Sequence, residues 1–137
     1  MATFNKYQNA VEALTEGASI GTDTWRIILS NTAPNAATNT NQASATELAT
    51  GGGYTANGNA CAVTSSTQTG GVQKLVLANP AQWVGTGAGF TFRYAILWNQ
   101  TVDRLISYWD YGASQTVLAG ETLNVNLDGV NGVFTVS

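Results

Sequence analysis

Short runs in which apolar and polar residues alternate, separated by glycine, asparagine and proline, fill the chain from residue 23 onward. Alternation with a period of two predicts β-strands that bury one face. The firmest run is residues 90–98, whose predicted buried face is Phe90, Phe92, Tyr94, Ile96 and Trp98. About eight such segments occur at the spacing of a sandwich or barrel, and no second helical pattern separates them. We therefore expect an all-β fold, an antiparallel β-sandwich of which a jelly roll is one form, with residues 90–111 as its central hairpin.

Residues 3–17 carry the one helical pattern and predict a short N-terminal α-helix. The apolar residues of its predicted face are spaced three and four apart: Phe4, Tyr7, Val11 and Leu14. Thr3 is placed to cap the start, and Gly17 to end the helix in a left-handed turn. Such a terminal helix either packs on its own domain or docks as an arm on a neighbouring subunit, and the sequence leaves both open.

Residues 35–53 are rich in Asn, Thr and Gly and have almost no apolar side chain larger than Ala. A segment of this kind contributes little to a core, so we expect a long exposed polar loop. Loops of this length are usually disordered or functional. The loop is therefore expected either to be disordered or to become ordered on a partner, with Asn35, Asn39 and Asn41 as candidate contacts.

Composition excludes several classes of function. The 137 residues have the length of one domain, and charged residues make up only 9% with a net charge of −3, so the basic surface of a nucleic-acid binder is missing. The chain has no His and one Cys, Cys61, which removes the commonest general base and any disulfide framework. No apolar run approaches the length of a membrane span, and the N-terminus lacks the apolar core of a signal peptide. We expect neither a nucleic-acid nor a membrane partner.

The acidic residues offer four candidates for chemistry: Asp103, Asp110, Glu121 and Asp128. We interpret Asp103 as a solvated ion pair with Arg104, and Asp110 as a partner of Arg93 or of backbone N–H groups. Glu121 in the AGET turn and Asp128 in the DGVNG turn are interpreted as turn residues. Residues 123–132, LNVNLDGVNG, match a calcium loop only in part, because the charge is low and the closing Glu is absent. We therefore expect no catalytic residues, no metal site and no cofactor.

Two roles are open for five aromatic residues: Trp83, Trp98, Tyr108, Trp109 and Tyr111. Alternation places Trp109 and Tyr111 on one face and Tyr108 on the other. These rings belong either to the core or a subunit interface, or to a platform on which sugars stack. The sequence does not decide between them.

The chain as a whole resembles a group of small virion structural proteins of tailed bacteriophages. The resemblance rests on five segments in order: MATFNKYQNAVEAL at the start, LSNTAP at 29–34, FRYAILWN at 92–99, LISYWDYG at 105–112 and GET at 120–122. It implies a virion component rather than an enzyme, and a head decoration or cement protein in particular. Such proteins are small, β-rich and commonly trimeric. The alternatives are a tail- or fibre-associated protein, and a carbohydrate-binding module on the virion.

The resemblance also implies partners and a location. We expect the chain to be made in the cytoplasm of a bacterial host and to end in the virion, where it binds the major capsid protein and itself as a homotrimer. The residues predicted to contact partners are Phe4, Tyr7, Val11, Asn35, Asn39, Asn41, Trp109 and Tyr111.

Overall fold

A computed structural model describes residues 3–137. In that range the strands are β1 (Thr3–Lys6), β2 (Trp25–Ser30), β3 (Asn59–Cys61), β4 (Val63–Thr69), β5 (Val72–Leu77), β6 (Trp83–Val84), β7 (Phe90–Asn99), β8 (Arg104–Val117), β9 (Thr122–Leu123) and β10 (Phe134–Val136). A helix, α1, covers Ala10–Glu12 and continues as a π-helical turn over Ala13–Gly17. One 3₁₀ turn, Gln42–Ser44, lies in the long loop.

The strands form antiparallel sheets that pack in a sandwich-like arrangement. A five-stranded sheet has the order β1-β8-β7-β2-β3, a three-stranded sheet the order β10-β5-β4, and β6 pairs with β9. The contact between Trp25 of the larger sheet and Phe134 of the smaller one, with ring centroids 5.8 Å apart, lies between them. The expectation of an all-β antiparallel fold with one short helix is confirmed, and β7 and β8 form the predicted hairpin at its centre.

The helix predicted over residues 3–17 is wrong in its first half. Residues 3–6 form β1 instead, with Thr3 opposite Asp110 and Lys6 opposite Ser107 of β8. Thr, Phe and Asn are weak helix formers, and pairing with β8 gives their backbone groups hydrogen-bond partners that an isolated helical turn leaves empty. Thr3 therefore caps nothing, and Gly17 ends the helix without a positive φ. No helix within residues 3–137 is long and apolar enough to cross a membrane.

The predicted buried face of residues 90–98 is confirmed, because all five of its residues are buried. From Ile27 in β2 and from Tyr94 in β7 the opposite face is buried as well, as Ile28 and Ala95 show, whereas alternation predicts one buried face. The pairing of β7 with β8 shifts register between Phe92 and Tyr94 and again between Leu97 and Trp98, and the extra residues lie in β8. The smaller sheet covers one face of the larger sheet. Part of the long loop covers the other, where a cavity of about 100 Å³ separates Ile96 from loop residues.

Candidate interaction surface

The residues predicted to contact partners do not form one patch. Phe4 lies on β1 with 45% of its surface exposed, and its ring meets Trp109 edge-on at 5.6 Å. Val11 is 55% exposed on the helix. The half-buried Tyr111 ring packs edge-on against Phe92 at 5.1 Å. The fold brings Phe4 and Trp109 together, and it separately brings Asn35 and Asn39 together in the long loop.

Tyr7 is a core residue, which corrects its place among the predicted contacts. Its side chain has no exposed surface and packs edge-on against Tyr108 at 5.3 Å. Burial raises the pKa of its phenol well above the ordinary value, so the hydroxyl stays protonated. The chain leaves the strand immediately after Lys6, and the Tyr7 ring is buried as β1 gives way to α1. Tyr7 is therefore not available to a partner.

The three predicted asparagine contacts are occupied within the loop itself. The Asn35 Oδ1 accepts from Ala37 N at 3.0 Å, and the Asn39 Oδ1 accepts from Asn35 N at 2.7 Å. The Asn41 Oδ1 accepts from Ser44 N at 3.0 Å and caps the 3₁₀ turn. The loop is thus folded by its own side chains, which corrects the expectation of a segment that is disordered or ordered only by a partner.

A carboxylate that sequence reasoning missed holds the second half of this loop. The Glu47 carboxylate accepts from Tyr54 Oη at 2.5 Å, from Gln42 Nε2 at 2.5 Å and from Asn57 N at 2.6 Å. Tyr54 is 1% exposed, and its Oη also accepts from Leu29 N at 3.1 Å, which ties the loop to β2. Burial, reinforced by this carboxylate, raises the pKa of the Tyr54 phenol. The available signal was a lone acidic residue in a neutral loop, next to Leu48.

We call these residues the loop cluster. It consists of Asn35, Asn39, Asn41, Ser44, Glu47 and Tyr54. Its hydrogen bonds satisfy backbone groups that a loop of this length would otherwise leave to water. The cluster is a structural device rather than a free binding surface.

Phe4, an exposed aromatic side chain, lies outside this cluster, in a groove at the seam between the two sheets. Two adjoining depressions of about 410 Å³ and 310 Å³ share Phe4. We call them together the seam groove, lined by Phe4, Lys6, Ala10, Leu14, Ile106, Trp109, Asn126, Leu127, Asp128, Gly132, Val133, Phe134 and Thr135. It contains two of the predicted contacts and adds β10, which sequence analysis did not connect with them.

The seam groove is open because it lies where both sheets end. β1 is an edge strand of the larger sheet and β10 an edge strand of the smaller one, and both are short. Edge strands present backbone groups without a strand partner, and natural proteins usually protect such edges. Here one charged residue, Lys6, stands on the edge strand β1. The only salt bridge within residues 3–137 joins Arg93 to Asp110, so Lys6 has no carboxylate partner there.

The predicted roles of the carboxylates hold for Asp110, Glu121 and Asp128 and fail for Asp103. Asp110 binds Arg93 through two hydrogen bonds of 2.7 and 3.0 Å and accepts from Gly112 N, and both interactions lower the pKa of this carboxyl. Asp128 accepts from Val130 N and Asn131 N in its turn, as expected. The Asp103 carboxylate does not pair with Arg104, which donates to the Asp103 carbonyl oxygen instead. The carboxylate accepts from Trp98 Nε1 at 2.9 Å and from Gln42 N at 3.1 Å.

A further groove and the single thiol provide no evident catalytic or metal-binding site. A polar groove of about 640 Å³ lies between the helix and β8, lined by Glu12, Glu16 and Arg104 among others. In the part of the chain that the structure describes, no three His, Cys, Asp or Glu side chains come together to hold a metal ion. Cys61 is 4% exposed, and burial raises the pKa of its thiol to about 12, so it is a protonated core residue at neutral pH.

Comparisons with known proteins do not assign the chain to a family. No protein-family model, no curated protein and no solved structure matches it. Function is therefore inferred from the geometry of the seam groove and from the resemblance carried by the sequence.

Proposed function

We propose that this chain is a non-enzymatic structural protein of a tailed-bacteriophage virion, and specifically a decoration protein that binds and stabilises the outer surface of the head. The observation that carries the proposal is the seam groove. In a chain with only 9% charged residues, it leaves Phe4 exposed beside Trp109 on a short edge strand of the larger sheet. Exposed apolar surface of this kind is typical of sites that bind other proteins.

The composition suits repeated binding to a large assembly. Asn, Thr and Ser side chains predominate over long charged ones in the polar part of the sequence. Shorter side chains lose less rotamer entropy than Lys, Arg or Glu when an interface covers them. Many copies that each add a modest contact stabilise a shell by mass action, because each binds the assembled state and not the dissociated subunits.

The test is whether the protein is present on particles and what it does there. Purified phage particles are expected to carry many copies spread over the head, measured by quantitative mass spectrometry against the major capsid protein. Particles lacking the protein are expected to lose DNA at a lower temperature. The variant Phe4→Ser is expected to bind such particles less well, whereas Val84→Ser, which removes an equally exposed apolar side chain outside the groove, is not. Absence from particles contradicts the proposal.

The same measurements separate the alternatives. A tail- or fibre-associated protein would be found in few copies at one vertex, which immunogold labelling resolves. Self-association as a homotrimer is part of the proposal, and analytical ultracentrifugation of the free chain tests it. A carbohydrate-binding module has less support, because the rings of Trp109 and Tyr111 pack edge-on against Phe4 and Phe92 rather than lying free as a flat platform.

A further inference from the structure

We infer that the seam groove binds one extended segment of a partner protein, added as a strand to the free edge of β1, with an acidic residue of that segment placed at Lys6. The inference deepens the proposed function and rests on it for the identity of the partner, a capsid protein. The backbone of β1, the apolar lining and the charges of the groove support this mode of binding by themselves.

The backbone of β1 is in the correct phase to accept a strand. Tyr7 N donates to Ile106 O at 3.1 Å, and the β1–β8 register runs without a shift from Lys6 opposite Ser107 back to Thr3 opposite Asp110. In an antiparallel pair only alternate residues bond to the neighbour. The N–H and C=O groups of Phe4 and Lys6 therefore point away from β8, toward the open edge. An added strand would pair with these groups, as in other cases of strand addition.

The lining of the groove requires alternating apolar residues in the segment. Phe4 and Lys6 share one face of β1 because they are two residues apart. Leu14 and Phe134 line the same depression from the helix and from β10. A strand added beside β1 would place every second side chain over this lining and bridge the gap between the two sheets. Its inward residues are therefore expected to be apolar, and its outward residues are unconstrained.

The charges define the polarity of the segment. Lys6 is the one charged side chain that lines the depression beside Leu14 and Phe134. Asp128 lines the other depression, beside Trp109, and its turn holds the pKa of its carboxyl below the ordinary value, so it is negative at neutral pH. An acidic residue in the segment is thus attracted to one end of the groove and repelled from the other. This combination of attraction and repulsion fixes the direction in which the segment lies.

A second copy of the chain fits the groove less well than such a partner. If two β1 strands paired antiparallel about a two-fold axis through these edge-facing groups, Lys6 of each would lie opposite Phe4 or Lys6 of the other. That arrangement brings no carboxylate to Lys6. Charge complementarity therefore favours a different protein with an acidic residue in an extended apolar stretch.

The experiment uses the full chain labelled with ¹⁵N and blocked seven-residue peptides of alternating valine and threonine. One peptide carries a terminal glutamate, a second carries a lysine in the same place, and a further pair carries them at the opposite end. Amide shifts of Phe4, Lys6 and Phe134 report binding. At low salt the better glutamate peptide is expected to bind about threefold to fivefold more tightly than its lysine counterpart, the strength of a favourable exposed ion pair. Lys6→Glu is expected to reverse that order.

The controls distinguish binding in the seam groove from non-specific binding. Phe4→Ser is expected to abolish the shifts, and Val84→Ser to leave them unchanged. Equal affinity for glutamate and lysine peptides, shifts centred outside the seam groove, absence of binding at millimolar peptide, or dimerisation of the free chain through β1 would each overturn the inference. If Phe4→Ser and Lys6→Glu decorate particles normally, this binding mode is wrong while the decoration role stands. If the peptides bind as expected but particles lack the protein, the capsid partner is wrong and the strand-addition site remains.

Discussion

The loop cluster and the seam groove are opposite in chemistry and in how completely they are satisfied. The loop cluster is polar, and its side chains are used up by hydrogen bonds within the chain, such as that from Ser44 N to Asn41. The seam groove is lined mainly by apolar side chains, and Phe4 in it remains 45% exposed. The segment that looks most available in the sequence is thus already occupied, whereas the available surface is built from short strands at the two ends of the chain.

The difference shows that exposure and availability are separate properties. Asn35 is exposed, yet its side-chain oxygen and backbone N–H are both hydrogen-bonded nearby. A partner would have to break those bonds before making its own, which cancels most of the gain. The exposed part of an aromatic ring such as Phe4 has no such competing interaction, because it faces only water and its burial is favourable.

The largest expected loss of stability follows from truncation of a core side chain, and the two regions are compared with it. Phe92 is 1% exposed and packs against Tyr111, so Phe92→Ala is expected to lower the free energy of unfolding by about 3–5 kcal/mol. Urea unfolding followed by tryptophan fluorescence measures it. A loss below about 1 kcal/mol would show that Phe92 is not part of the packed core.

The loop cluster is expected to come next. Glu47→Ala removes the acceptor for three donors, one of them the buried Tyr54 hydroxyl, and is expected to lower the free energy of unfolding by about 2–3 kcal/mol. Glu121→Ala is the matched control, because the Glu121 carboxylate accepts only from Leu118 N of an exposed residue, and about 0.5–1 kcal/mol is expected there. Equal losses for both variants would mean that the loop is not held through Glu47.

The seam groove is expected to contribute little to stability. Phe4→Ser removes a half-exposed side chain and is expected to change the free energy of unfolding by less than about 1 kcal/mol. The same urea experiment measures it, alongside the particle-binding assay. A loss above about 2 kcal/mol would place Phe4 in the core and erase the contrast with the loop cluster.

The smallest expected effect is the loss of folding stability at acidic pH. The folded chain lowers the pKa of Asp110 through Arg93, and that of Asp128 through the N–H groups of its turn. Carboxyls of this kind stabilise the fold above the ordinary Asp pKa of about 3.9, and that stabilisation is lost as the pH falls through the lower folded values. Stability is therefore expected to be level from neutral pH to about pH 5 and to decline below about pH 4. NMR titration of both carboxyls, with Asp128→Asn as a control, checks this.

Sequence reasoning succeeded where one local pattern decides the structure. Alternation in residues 90–98 and the turn at Asn99 are enough to predict the central hairpin, because each residue's side follows from its neighbours. The pairing of Asp110 with Arg93 was accessible for the same reason, since both lie on that hairpin.

The rest depends on partners distant in sequence. The spacing of Phe4 and Tyr7 fits a helix, and only the free edge of β8 makes a strand the better choice. The seam groove joins residues near position 4 to residues near position 134, and no local pattern reports that contact. Glu47 was missed because its donors, Tyr54 and Asn57, reach it only once the loop is closed.

The burial of the single thiol has a practical consequence. Cys61 lies on β3, at the edge of the larger sheet opposite β1, where its neighbour across the ladder is Trp25. A thiol-specific reagent reaches Cys61 only when that edge of the sheet opens locally, so the modification rate measures local opening there without any engineered label. A lower modification rate after a partner binds at β1 would show that binding at one edge of the larger sheet reduces local opening at the other edge.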